Sequence, residues 1–152
     1  MEETNLTDLI HKKTFNITTF GCQMNEHDSE IMAGMLIEKG YEQTADRSKA
    51  DIVIFNTCSI RENADKRFFG TLGQLKHRKE EEGDAFTVCV CGCMMQQKEM
   101  VNQIRVSYPF VELIFGTHVL YTLPELINRL LKGERRVVNY FEGEGRENPI
   151  AE

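Results

Sequence analysis

From Thr14 to about residue 132 the chain alternates short runs of β-branched and aromatic residues with longer stretches whose apolar positions recur every three or four residues. Short apolar or alternating runs belong to strands, and a spacing near 3.6 belongs to helices that bury one face. Residues 15–20 form the first strand in this reading, and residues 28–39 the helix after it, with Ile31, Met32, Met35 and Leu36 on one face and Gly40 as its stop. Residues 41–44 read as a short second strand, and residues 51–56 hold the run Ile52-Val53-Ile54-Phe55, which suits a central strand buried on both faces. A helix over residues 60–79 aligns Ala64, Phe68, Leu72 and Leu75, with Gly70 and Gly73 weakening its middle. A strand at 86–90 follows, then a helix over 96–106 with Met100, Val101 and Ile104 turned inward and Pro109 beyond its end. A strand at 110–115 and a helix opened by Pro124, with Leu126, Ile127, Leu130 and Leu131 on one side before Gly133, complete the series.

Regular alternation of strand and helix builds βα units around a parallel sheet. The expectation is therefore an α/β fold: a three-layer, open, mostly parallel sheet of about five strands, flavodoxin- or Rossmann-like. Residues 1–13 read as an N-terminal tail, 14–133 as one domain and 134–152 as a linker. Residues 135–140 fit an edge strand or the start of that linker, and residues 141–152 have little to bury and are expected to be mobile. The acidic run Glu80-Glu81-Glu82 reads as a solvated turn.

Composition confirms only that the chain should fold, with 41% hydrophobic and 28% charged residues. Charge says more. Eighteen basic against 24 acidic side chains give −6, whereas a domain that grips nucleic acid alone carries a basic surplus. No strong intrinsic nucleic-acid binding is expected, so any RNA substrate must be held mainly by other domains. The first residues carry Glu2 and Glu3 and no apolar core of a signal peptide. No stretch reaches the roughly 18 to 20 apolar residues of a membrane span, and a cytoplasmic location is expected.

That compartment keeps thiols reduced, so five cysteines point to metal or redox chemistry rather than to a disulfide framework. Cys22 follows the strand at 15–20, Cys58 the strand at 51–56, and Cys93 the strand at 86–90. In a parallel sheet the carboxyl ends share one edge, where ligands bind near the switch in strand order. Each of the three also precedes or opens a helix, whose positive end favours a thiolate over a thiol. Three thiolates suit an iron–sulfur cluster, zinc or copper(I), and spacing alone does not choose among them. Zinc is the weaker case because the chain has no C-x2-C pair. A [4Fe-4S] cluster on three cysteines would leave one iron open to an exogenous sulfur species.

The bland alternative is that a buried cysteine is a small hydrophobe. It is the default for Cys89, which alternates with Val88 and Val90, while Cys91 is either core or a stray thiolate able to oxidise with Cys93. Asn25 and Asn56 neighbour the three cysteines and fit either hydrogen bonding to cluster sulfurs or capping of a helix or turn. Arg61, Lys66 and Arg67 line a substrate cleft or simply a solvated helix face, and His27, His77 and His118 show no metal-ligand spacing.

The segments Gly21-Cys22-Gln23-Met24-Asn25, Asn56-Thr57-Cys58-Ser59-Ile60-Arg61-Glu62 and Gly92-Cys93 resemble the three cysteine motifs of the methylthiotransferase N-terminal domain. The likeness spans about residues 14–132. The residues after Cys22 and Cys58 look most similar to the branch that modifies tRNA, the tRNA-2-methylthio-N(6)-dimethylallyladenosine synthases. The resemblance implies that Cys22, Cys58 and Cys93 bind an auxiliary [4Fe-4S] cluster with one open iron. It implies a full-length radical S-adenosylmethionine enzyme that adds a methylthio group to C2 of N6-isopentenyladenosine next to the anticodon. A second [4Fe-4S] cluster and S-adenosylmethionine would belong to a radical domain in cis, bound by a C-x3-C-x2-C motif that this sequence lacks. The fragment alone is therefore expected to be inactive. Two other readings stand beside this one: the N-terminal domain of a ribosomal-protein methylthiotransferase, and a non-catalytic flavodoxin-like module with structural cysteines.

Overall fold

The computed structural model describes residues 13–21, 23–57, 62–82, 86–92, 98–132, 137–139 and 150–151. Seven strands form one sheet: β1 (Thr14–Phe20), β2 (Glu42–Gln43), β3 (Ile52–Thr57), β4 (Thr87–Gly92), β5 (Leu113–Phe115), β6 (Val137–Asn139) and β7 (Ile150–Ala151). Their order is β2-β1-β3-β4-β5-β6-β7. All neighbouring pairs are parallel except β6 and β7. The helices are α1 (Gln23–Glu38), α2 (Glu62–Glu82), α3 (Lys98–Ser107) and α4 (Leu123–Leu131), with 3-10 turns at Arg47–Lys49 and Thr117–Thr122. No described helix is long and apolar enough to cross a membrane.

Alternate residues of each central strand face opposite helix layers, as the pleat requires. Val53 and Phe55 of β3 and Val88 and Val90 of β4 pack with Phe68, Leu72 and Leu75 of α2 and Val101 and Ile104 of α3. Ile52, Ile54, Cys89 and Cys91 point the other way, onto Met32 and Leu36 of α1 and Leu123, Leu126 and Ile127 of α4. The result is the expected three-layer α/β arrangement. The helix faces read from spacing are the ones packed on the sheet, with Ile31, Met35, Met100 and Leu130 partly buried; the side chains of Ala64 and Leu131 lie outside the described residues. Every residue of β3 is buried, in keeping with its central place.

Five of the strands are those expected. Residues 137–139, within the stretch read as an edge strand or linker, form β6, which is a strand but not the edge: the two-residue β7 from the tail pairs on its outer side. Pairing this short is made by the backbone and leaves no side-chain periodicity to read. The helix α1 begins at Gln23, five residues before the spacing signals it, because Met24 is the one apolar residue among its first eight and sets no period. The acidic run 80–82 is not a turn but the end of α2, where Glu82 accepts from Arg78 Nε at 3.1 Å. Gly70 and Gly73 lie within that unbroken helix. Gly40, at φ +102°, closes α1 as anticipated. Its N–H donates to Ile37 O and that of Tyr41 to Leu36 O, both at 3.0 Å, the paired bonds of a left-handed helix stop.

Candidate metal centre at the carboxyl edge of the sheet

β1, β3 and β4 are adjacent, and their registers end in one row: Phe20 is opposite Thr57, and Thr57 is opposite Gly92. This row lies at the reversal of strand order between β1 and β3, where open α/β sheets bind ligands. In sequence Cys58 follows Thr57 directly, Cys93 follows Gly92 directly, and Cys22 lies two residues after Phe20 and immediately before α1. Cys22, Cys58, Cys93 and Arg61 themselves lie outside the described residues, as do the side chains of Lys66 and His118.

Beneath the row sits a buried polar network. Asn25 in the first turn of α1 and Asn56 near the end of β3 are 2% and 1% exposed. Asn25 Nδ2 donates to Asn56 Oδ1 at 3.2 Å and to Thr57 O at 3.0 Å. Asn56 Nδ2 donates back to Asn25 O at 2.7 Å and to Ser29 Oγ at 3.0 Å. Ser29 Oγ also shares a 2.8 Å hydrogen bond with Thr19 Oγ1 of β1. Thr57 Oγ1 donates to Cys91 O at 3.0 Å, tying β3 to β4. Both protons of each asparagine amide are thus engaged with protein atoms, and the pair braces the strand ends against the first turn of α1. Sequence spacing could not find this network, because it joins residues 31 apart.

Gly92 completes the row. Its φ is +112°, and a Cβ built there would run into the Thr57 backbone and come within 2.9 Å of Asn56 Oδ1. Only glycine allows β4 to pass this close to β3 in this conformation. The sequence signal was present in the Gly92-Cys93 pair, but its steric reason was not.

Cys89 and Cys91 belong to β4, which runs two residues further than its apolar run suggests. Both are buried and neither is in a disulfide. Burial, then the nearby Glu112 carboxylate, pushes the Cys89 thiol well above its ordinary range, the opposite of what a thiolate ligand needs. Cys91 Sγ lies 3.9 Å from Met32 Sδ within the α1 layer. Both behave as core residues. Arg67 is exposed and holds its guanidinium 5.8 Å from the Phe20 ring centroid, at the same edge as the row. His27 and His77 are exposed, and His77 stands 3.8 Å from Glu80. Among the described residues no three His, Cys, Asp or Glu side chains come together as a metal site.

A model of the family described as uncharacterized protein family UPF0004 matches residues 14–116, which include β1 through β5 and the whole row. The chain belongs to the UPF0004 family. Relatives of this UPF0004 chain include several named tRNA-2-methylthio-N(6)-dimethylallyladenosine synthase. That of Acetivibrio thermocellus is 49% identical over 135 residues, covering 89% of this chain and 28% of the relative. That of Clostridium botulinum is 47% identical over 140 residues, covering 92% and 30%. That of Clostridium beijerinckii is 54% identical over 119 residues, covering 78% and 26%. The chain therefore spans between about a quarter and a third of the length of these relatives. The methylthiotransferase resemblance drawn from the three cysteine motifs agrees with these matches.

Proposed function

We propose that this chain is the auxiliary-cluster domain of a tRNA methylthiotransferase, with Cys22, Cys58 and Cys93 holding one [4Fe-4S] cluster. The observation that carries the reading is the row Phe20, Thr57 and Gly92 on three adjacent parallel strands. Consecutive Cα atoms are about 3.8 Å apart and neighbouring strands about 4.8 Å apart. Cys58 and Cys93 each come one residue after this row in sequence, and Cys22 two residues after it. The donor set fits an iron–sulfur cluster: three soft sulfurs, no described histidine at the edge row, and α1 starting immediately after Cys22 with its positive end toward that residue. When bound, such a cluster supplies an iron with no protein ligand, open to a sulfur species.

The names of the relatives favour tRNA over a ribosomal protein as the substrate of the whole protein. In that protein a radical S-adenosylmethionine domain in cis, with its own [4Fe-4S] cluster, activates C2 of an isopentenylated adenosine beside the anticodon. This chain alone turns nothing over. Its net charge of −6 fits a cytoplasmic module that presents sulfur while other domains hold the RNA.

Anaerobic reconstitution with iron and sulfide tests the reading. A brown protein with sulfur-to-iron charge-transfer absorption is expected, lost in Cys22→Ala, Cys58→Ala and Cys93→Ala and kept in Cys89→Ala and Cys91→Ala. A full cluster in all three of the first set would sink the assignment.

A further inference from the structure

We infer that Asn25 and Asn56 form a latch that holds together, before any metal arrives, the strand ends and the start of α1 next to which Cys22, Cys58 and Cys93 stand in sequence, with Asn56 as its central positioning residue. The inference rests on the cluster reading above and adds to it a cause for the geometry. The three cysteines belong in sequence to three separate βα units, and backbone pairing fixes only the strands that precede them. Cys22 sits between β1 and α1, so its place depends on how the first turn of α1 meets the sheet. That meeting is made by Asn56, whose amide donates to Asn25 O at 2.7 Å and to Ser29 Oγ at 3.0 Å. Asn25 returns two bonds, to Asn56 Oδ1 and to Thr57 O, the carbonyl of the residue before Cys58.

The end of β4 is coupled through the same atoms. Gly92, the residue before Cys93, packs so tightly on Thr57 and on Asn56 Oδ1 that it has no room for a side chain. Thr57 Oγ1 holds Cys91 O one residue earlier. One pair of side-chain amides therefore joins the first turn of α1, which follows Cys22, to Thr57 before Cys58, and lies against Gly92 before Cys93. The pair is neutral and almost wholly buried, so its bonds do not compete with water and are retained in the metal-free chain. Outer hydrogen bonds of this kind fix ligand orientation, and removing them costs about 10- to 100-fold in metal affinity.

The test uses the metal-free chain kept anaerobic, with Co2+ alone as the first probe and iron with sulfide as the second. Thiolate-to-cobalt absorption reads how well the three sulfurs are gathered. Titrations are run at temperatures where circular dichroism shows each variant fully folded. Asn56→Ala is expected to weaken Co2+ binding by about 10- to 100-fold and to alter the electron paramagnetic resonance signature of the reduced cluster. Asn25→Ala is expected to do the same, and the double variant to lose little more than either single one. Should Asn56→Ala fail to fold, Ser29→Ala removes one acceptor of the Asn56 amide and is expected to shift Co2+ affinity and signature in the same direction, by less.

A folded Asn56→Ala with wild-type Co2+ affinity and an unchanged signature would overturn the latch and leave the cluster reading standing. Unaltered values in Ser29→Ala, where Asn56→Ala does not fold, would overturn it equally. A wild-type chain that takes up neither Co2+ nor cluster would overturn the cluster reading itself, and the latch with it.

Discussion

The two ends of the same strands solve the problem of buried polar groups in opposite ways. At the carboxyl ends of β1, β3 and β4 the work is done by neutral groups, Asn25, Asn56, Thr57 and Ser29, over distances of 2.7 to 3.2 Å. At the amino ends it is done by charges. Lys79 Nζ donates to Glu112 Oε2 and to Phe86 O, each at 2.7 Å, and Glu112 Oε1 accepts from Val88 N at 2.8 Å. Arg78 donates to Arg47 O and Ala50 O and lies 3.7 Å over the Phe86 ring. The two edges are about 16 Å apart, five steps along β3.

The contrast has a physical logic under the cluster reading. A buried carboxylate beside three thiolates would oppose their ionisation, and a buried lysine would compete for them as an ion-pair partner. Neutral amides hold geometry without setting charge. At the far edge, ion pairs are free to staple α2 to the starts of β4 and β5, where no ligand chemistry is at stake.

The largest effect expected is at the neutral edge. Gly92→Ala should destabilise the metal-free chain by about 3 kcal/mol or more, since it adds both a positive-φ strain and an overlap with the Thr57 backbone. Urea unfolding measures it, and a neutral result would mean that β3 and β4 separate easily, which would dissolve the contrast. The charged edge comes next. Lys79→Met, whose side chain is only 9% exposed, should cost about 1 to 3 kcal/mol by leaving Glu112 and Phe86 O short of a donor. The same variant should leave Co2+ binding unchanged; loss of the metal site would show that the two edges are not independent. Smallest is Gly70→Ala on the exposed face of α2, where a Cβ meets nothing within 4 Å. Thermal melting should show a gain of about 0.5 to 1 kcal/mol, and a loss would place a constraint on α2 that neither edge explains.

Much of this molecule was legible before any coordinates, and for identifiable reasons. Apolar runs such as Ile52-Val53-Ile54-Phe55 and helix faces such as Met32 with Leu36 carry their burial in their spacing. The order β2-β1-β3-β4-β5 did not come from spacing, nor did the start of α1 at Gln23, whose first turn buries Asn25 against another polar side chain. Hydrophobic period has no means of announcing a buried amide pair.

The sequence by itself determined that strands and helices alternate, that three cysteines each follow a strand, and that Cys89 shares the pattern of its apolar neighbours. Only the tertiary structure decided that β1, β3 and β4 lie side by side with their ends in one row, and that Asn25, Asn56 and Gly92 lock that row. The reason is that local patterning fixes which face of an element is buried, whereas the meeting of residues more than 30 apart depends on strand order and register, which no single segment encodes.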